Sequence, residues 1–512
     1  MSKLKEQIYI EEVSGHHARY RRLVSFTHSS TRAAMVMLLG AVIAVILASS
    51  PYAADILHFW HTEVMIGFGT SVASMSLGHI INDMFMAIFF LLVGLEVKYE
   101  LTVGELTNIR QAILPVIAAV GGVVVPIIIY VSLNASSPET INGWGVPTAT
   151  DIAFALGIMS LLGSRVPNGV KVFLSTLAVA DDIIAILIIA IFYGHAPSLG
   201  WLLCAGVIYL VLIVFNKRHV YSLAPYLIGG ALLWYCVFSS GIHATIAGVL
   251  LAFVIPSCSS INIRKFTDWS RRKVSAADSI FNPDEPLVSQ KEYLETVQNL
   301  SKVSKHVTPP AVRLEHRLYP WVYFGILPLF ALSNADVAVS GEAISQALSC
   351  TALPGVFFGL LIGKPLGILL ASFLVVKIGK VSLPENANWG HMIGAAILGG
   401  VGFTMAIFVA NLAYSDPSLV ASAKIGILAS SLTAGILGFI VLLVQARKAE
   451  AKGVSYVHSS TNYEELLAAD QEEARKSKRF VKKVLKEREA QAQMNHDELE
   501  SENSKLPENR EG

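Results

Sequence analysis

Two aspartates stand side by side in the middle of an apolar stretch, VKVFLSTLAVADDIIAILIIAIFY, as Asp181 and Asp182. A span of this length crosses a bilayer, so neither carboxylate reaches water outside it. Two adjacent carboxylates repel when both ionise, and burial adds to the penalty, so each is held neutral until something positive arrives. A pair of this kind can trade a proton for a metal cation. Ser175, Ala178 and Ala185 share the face of Asp182 at helical spacing, and all are small enough for another helix to come close. The plain alternative is a buried pair neutralised by protons and hydrogen bonds.

Three more ionisable groups lie where apolar residues are expected. Asp151 sits in GWGVPTATDIAFALG, a span interrupted by Gly145, Pro147 and two threonines. Helix breakers at membrane depth are tolerated where unwound backbone lines a cavity or is buried in protein. A carboxylate there offsets the positive end of a half-helix, and Thr150 adds a hydroxyl oxygen. A simple N-cap role for Asp151 is compatible with this. Lys364, in LLIGKPLGILLAS, lies about 20 Å of helix from Lys377, too far for its ammonium to snorkel out. It needs a partner inside the protein, either a buried aspartate or the negative ends of a second broken helix. LGGVGFTMAIFVA supplies that break through Gly399, Gly400 and Gly402. Lys364 as a purely structural counter-charge stays open. Asp83 is the third group. Each charge costs roughly 2.5–3.5 kcal/mol at a helix centre, which usually marks an ion pathway, counter-ion or proton relay.

The elements that must position these groups are membrane spans. The 512 residues are 53% hydrophobic and only 15% charged, with mean hydropathy +0.56, so lipid is the implied solvent. Apolar windows predict twelve spans, near 33–50, 78–97, 111–133, 144–163, 170–193, 200–216, 221–238, 240–257, 320–337, 354–376, 391–412 and 419–446. Alternate connections carry Lys98 and Arg110, Arg165 and Lys171, Lys217 and Arg218, Arg264 to Arg317, then Lys377 and Lys380. The opposite set (51–77, 134–143, 194–199, 338–353, 413–418) has no Lys or Arg. Positive charge stays in the cytoplasm, which predicts both termini inside. The expected fold class is an all-α integral membrane protein with inverted-topology repeats and two broken, crossing helices, since glycine-interrupted spans recur at matching places in the two halves.

Residues 1–32 read as a cytoplasmic leader, 33–446 as the transport domain, and 447–512 as a charged cytoplasmic tail with a helix near 463–491. The long loop 258–318 carries a predicted helix near 289–305 and a turn at Pro309–Pro310. Net charge of +1 gives no argument for nucleic acid. The four scattered cysteines form no metal spacing and read as free thiols, and no cofactor is implied. An intramembrane aspartyl protease would need its two aspartates on separate helices, and no GxGD occurs. A passive channel would lack the paired breaks. A proton-coupled carrier for another solute is the nearer rival, yet no mid-span cluster of Arg, Trp or Tyr suggests a solute site.

INDMFMAIFFLLVGLEVKYEL, TATDIAFALGIMSLLGSRVP, LAVADDIIAI, SGIHATIAGV, RLEHRLYPW, LIGKPLGI and GFTMAIFVANLAY, in this order from about residue 33 to 446, resemble the NhaA-type sodium/proton antiporters. The resemblance implies a bacterial inner-membrane exchanger of cytoplasmic Na+ (or Li+) for external H+, pH-regulated and electrogenic, with the bilayer, the ions and a second copy of the chain as partners. It implies that Asp182 is the essential cation ligand, that Asp181 supports it and gates access, and that Thr150 offers an oxygen. Asp151 and Lys364 would compensate the crossing half-helix ends, with Asp83 in support. Glu96, Glu100, His243, Glu315 and His316 match positions associated with pH activation at the cytoplasmic funnel. For His243, helix packing is an equal reading, and Glu315 and His316 fit an ordinary solvated helix start too. Tyr99, Val312 and Tyr319 depart from the family's arginine, lysine and histidine, which puts the pH threshold in question and leaves the core alone.

Overall fold

The computed structural model describes residues 30–451 apart from 69–70, 108, 195–196, 260, 336–344, 346 and 349. The predicted tail helix at 463–491 lies outside the described residues. All description below concerns one compact unit.

Sixteen helices are labelled in chain order. The first six are α1 (Ser30–Ala48), α2 (Ala53–Trp60), α3 (Leu77–Thr102), α4 (Ile109–Asn134), α5 (Ile152–Ser160) and α6 (Asn168–Phe192). Then come α7 (Leu199–Lys217), α8 (Leu223–Ser239), α9 (Thr245–Val254), α10 (Ile263–Ile280) and α11 (Lys291–Val307). The chain continues with α12 (310–334), α13 (Ala352–Ile378), α14 (Trp389–Gly399), α15 (Phe403–Ala413) and α16 (Pro417–Ala451). Seven of these, α1, α3, α4, α6, α7, α13 and α16, are each long and apolar enough to cross a membrane. The other five predicted spans are α8, α9, α12 and two interrupted segments. In one, a tight helical turn at Ile141–Thr148 precedes α5; in the other, α14 and α15 meet at 42° across a three-residue break.

The structure adds elements that apolar windows do not see. Strands β1 (Glu63–Phe68) and β2 (Ser71–Ser76) pair antiparallel, from Glu63 opposite Ser76 to Phe68 opposite Ser71, inside what reads as a plain connection. The loop 258–318 holds two helices rather than one, α10 before the predicted α11. Helix α10 is amphipathic and rich in Arg and Lys, capped where the Asn262 side chain accepts from the Arg264 amide at 3.1 Å. Helix α12 starts a full ten residues before the predicted span, with Pro310 at its first position, where its missing N–H costs nothing.

Three of the long helices contain a widened π-turn: Ile80–Phe85 in α3, Val322–Ile326 in α12 and Gly359–Gly363 in α13. Such turns insert one residue without ending the helix and often sit at functional sites. Helices α4 and α13 pack along each other, and Gly121 faces Gly367 so closely that a Cβ on either would strike the other's backbone. That approach brings Lys364, the residue that follows the π-turn, against the first broken segment.

The two ends of the bundle differ. At the end carrying the basic connections, the Arg313 guanidinium donates to Tyr221 O at 3.1 Å and the Ala311 amide to Pro256 O at 3.1 Å. The Lys98 ammonium donates to Phe253 O at 2.8 Å and Ile255 O at 2.5 Å, closing the C-terminus of α9 with a positive charge. At the opposite end tyrosines tie the first broken segment. The Tyr193 hydroxyl accepts from the Gly145 amide at 3.0 Å and donates to Asn142 O at 2.8 Å, while Tyr130 donates to Thr140 O at 2.6 Å and pairs with the Tyr414 hydroxyl.

Candidate functional site: a carboxylate pair at two crossing helix breaks

The two breaks meet back to back. Between Thr148 and α5 the backbone is extended, and the Asp151 amide donates to Val401 O at 2.7 Å while the Thr150 hydroxyl donates to Gly399 O at 2.9 Å. The Asp151 carboxylate serves two helix starts at once. Its Oδ1 accepts from the Phe154 amide of α5 at 3.0 Å, and its Oδ2 accepts from the amide and hydroxyl of Thr404 in α15 at 3.2 and 2.5 Å. An N-terminus favours negative charge, and here two N-termini share one aspartate. The other free amide of α15, Phe403 N, is met by Ser431 Oγ at 3.1 Å.

Lys364 closes the opposite polarity. Its ammonium, 0% exposed, donates to Thr148 O, the carbonyl end of the first half-helix, and to Asp181 Oδ2 at 2.7 Å. Thus a negative group sits where two helices begin and a positive one where a helix ends. Both groups are buried, so the arrangement is tolerable only because Asp151 is hydrogen-bonded at both oxygens and Lys364 is hydrogen-bonded and paired with Asp181.

The aspartate pair is different. Asp181 is 1% exposed; one oxygen takes the lysine, and Oδ1 is buried with no hydrogen-bond partner, with Thr150 alongside. Asp182 is 6% exposed and, among the described residues, receives no hydrogen bond and forms no ion pair. Its charged neighbours are Asp181, Glu96, Lys364 and Asp151, three of the four being carboxylates. Unpartnered carboxylate oxygens in a buried site are what a proton or a small cation would satisfy.

A cavity of about 230 Å³ at the basic end is lined by Glu96, Glu100, Glu315, Tyr319 and Tyr323 and, on the helix that carries the pair, by Ser175 and Val179. Tyr99 and Tyr319, two of the three positions that depart from the family pattern, line the same cavity. Glu315 lies on the first turns of α12, and burial pushes its carboxyl above the ordinary value, partly opposed by His316.

The structure therefore gathers Asp181, Asp182, Thr150, Asp151 and Lys364 at the crossing, with Glu96, Glu100 and Glu315 in the cavity beside it. His316 is exposed and does not line that cavity. His243 and Asp83 lie at the other end of the path. His243 Nε2 donates to Tyr193 O at 2.5 Å, at the far end of α6, and the Asp83 carbonyl accepts from Trp234 Nε1 at 3.4 Å. Placing His243 with the cavity group, as the resemblance does, is thus not how this chain is built. Thr404 and Ser431 complete the breaks and were not singled out from sequence. Hydroxyls cost little in an apolar run, so only the second glycine-rich break hinted at them.

The sequence matches a described family over most of its length. A family model described as Na+/H+ antiporter 1 matches residues 24–442. The chain belongs to this family. The Na(+)/H(+) antiporter NhaA of Wolinella succinogenes is 44% identical over 425 residues, covering 83% of this chain and 93% of that protein. The Na(+)/H(+) antiporter NhaA of Oleidesulfovibrio alaskensis is 42% identical over 433 residues, covering 85% and 95%. A solved sodium proton antiporter from Methanocaldococcus jannaschii aligns with 85% of this chain and 97% of its own at 14% identity and a TM-score of 0.43. The antiporter is a secondary transporter and not an enzyme, so its chemistry is the loading and unloading of ions.

Proposed function

We propose that this antiporter exchanges Na+, and Li+ as a second substrate, for H+ by letting the two ions compete for Asp181 and Asp182. The observation that carries the reading is the pair of carboxylates with unpartnered oxygens, Asp181 Oδ1 and Asp182, buried beside Thr150 on a helix whose Ser175 and Val179 line the cavity. Sodium and lithium are hard cations that take oxygen ligands, and the carboxylates and the Thr150 hydroxyl supply them. A proton discharges the same oxygens. The empty, charged form is the costly one to carry across, so the site crosses loaded with one ion or the other.

Lys364 gives the competition its balance. With Asp181 held to the ammonium at 2.7 Å, Asp182 is the freer carboxylate and the primary ligand, and Asp181 joins when the lysine lets go. Two protons against one sodium makes the exchange electrogenic, each net charge being driven by about 2.3 kcal/mol per 100 mV. We read the basic end as cytoplasmic, which places both termini inside a bacterial cytoplasmic membrane and makes the cavity the inward mouth. Glu315, whose carboxyl burial raises above its ordinary value, ionises as pH rises and, with Glu96 and Glu100 beside it, draws cations into that mouth, which supports pH regulation. A homodimer belongs to the same proposal and is read by light scattering of the purified protein.

The test is sodium-induced proton movement in everted vesicles across a pH series, wild type against Asp182→Asn. The variant is expected to lose exchange at every pH; retained exchange overturns the site.

A further inference from the structure

Three helices carry the same order of layers. From the end away from the basic connections, α3 presents Asn82, then Phe90, then Glu96; α12 presents Asn334, then Phe330, then Tyr323; α15 presents Asn411, then Phe408, then Thr404. The outer layer is a chain of amides. Asn411 Nδ2 donates to Asn334 Oδ1 at 2.7 Å, and Asn334 Nδ2 donates to Asn82 Oδ1 at 2.8 Å. The middle layer is aromatic. Phe408 lies 5.6 Å from Phe90 and 6.3 Å from Phe330 between ring centroids, and all three are at most 3% exposed. The crevice beside it, at Phe90, Ile186, Ile189 and Val249, has no room for a water. The inner layer faces the aspartates and the open cavity.

We propose that the Asn82–Asn334–Asn411 amide chain is the latch of the outer gate, and that Phe90, Phe330 and Phe408 are the seal it holds shut. The inference rests on the exchange path running through Asp182. Helix α15 belongs to the crossing pair, whereas α3 and α12 do not, so both the rings and the amides bridge elements that must part for the outside to reach the site. Phenyl rings suit a seal because they exclude water without binding a cation in passage. Amides suit a latch because a neutral hydrogen bond is satisfied when closed and is readily replaced by water when open. Asn334 is the centre, since its carbonyl holds α15 and its amino group holds α3.

The test uses the full-length chain with its four cysteines changed to serine and a reporter Ala331→Cys, a position 0% exposed beside Phe330. Right-side-out vesicles are treated with a membrane-impermeant maleimide, and the labelling rate is read by gel shift. Asn334→Ala is expected to raise external labelling about fivefold, the scale of losing a hydrogen bond that biases a two-state element, with Asn334→Gln closer to the parent. Phe408→Ala should raise it as well, and stands in if Asn334→Ala does not fold. Unchanged external labelling in both overturns the gate. Labelling does not depend on the aspartates being the ligands. Exchange surviving in Asp182→Asn with labelling as expected removes the binding reading only; no change in labelling with Asp182→Asn inactive removes the gate only.

Discussion

The two broken segments reach the same crossing by different means. The first, Ile141–Ser160, brings the ionisable group, Asp151, and the hydroxyl of Thr150. The second, Trp389–Ala413, brings no charge of its own; it contributes glycines and borrows its caps, one from Asp151 across the crossing and one from Ser431 on α16. Room is its contribution. A Cβ on Gly400 would lie 2.6 Å from Leu360 O, so the chain turns there only because nothing projects. A single carboxylate shared by two helix starts spares the membrane a second buried charge, and it makes the second break dependent on the first.

That dependence can be tested by removing one support at a time. Lys364→Ala has the largest expected effect, because it strands Asp181 and the Thr148 carbonyl together. Breaking a buried pair from one side costs about 3–5 kcal/mol, to be read as lowered thermal stability of the purified protein alongside lost exchange. Asp151→Ala should come next, at about 2–4 kcal/mol for two helix caps of up to about 2 each. If the breaks were independent it would cost only one cap, and a double-mutant cycle of Asp151→Ala with Thr404→Val would show no coupling. Ser431→Ala is expected to be mildest, about 1 kcal/mol for one neutral hydrogen bond, with exchange retained. A loss as large as that of Asp151→Ala would mean that the second break rests on α16 as much as on the first break.

Sequence patterns reveal the first kind of break more readily than the second. Asp151 and Lys364 are legible because charge in an apolar span has few reasons to be there. Asp181 and Asp182 stand out for the same reason, and the spans follow from window hydropathy. The partners are harder. Thr404, Ser431, Asn334 and Asn411 are polar without charge, and such residues satisfy themselves locally often enough to carry little signal. Apolar windows do not reveal helix α10, because it is amphipathic and strongly basic, and the β1–β2 pair sits in a connection with no strict alternation. His243 shows the limit of motif likeness: the residue matches, but it lies at the far end of α6 from the cavity it was grouped with.

The widened turn at Gly359–Gly363 has a consequence for how the chain tolerates change. Its additional residue sets the rotational phase of everything after it, and Lys364 is the next side chain. Tightening this turn to a regular helix with every residue kept would swing the ammonium by roughly a quarter turn around the axis relative to the preceding turns. The helix would survive, still apolar and still long enough to span, while the Lys364 ammonium pointed away from Asp181.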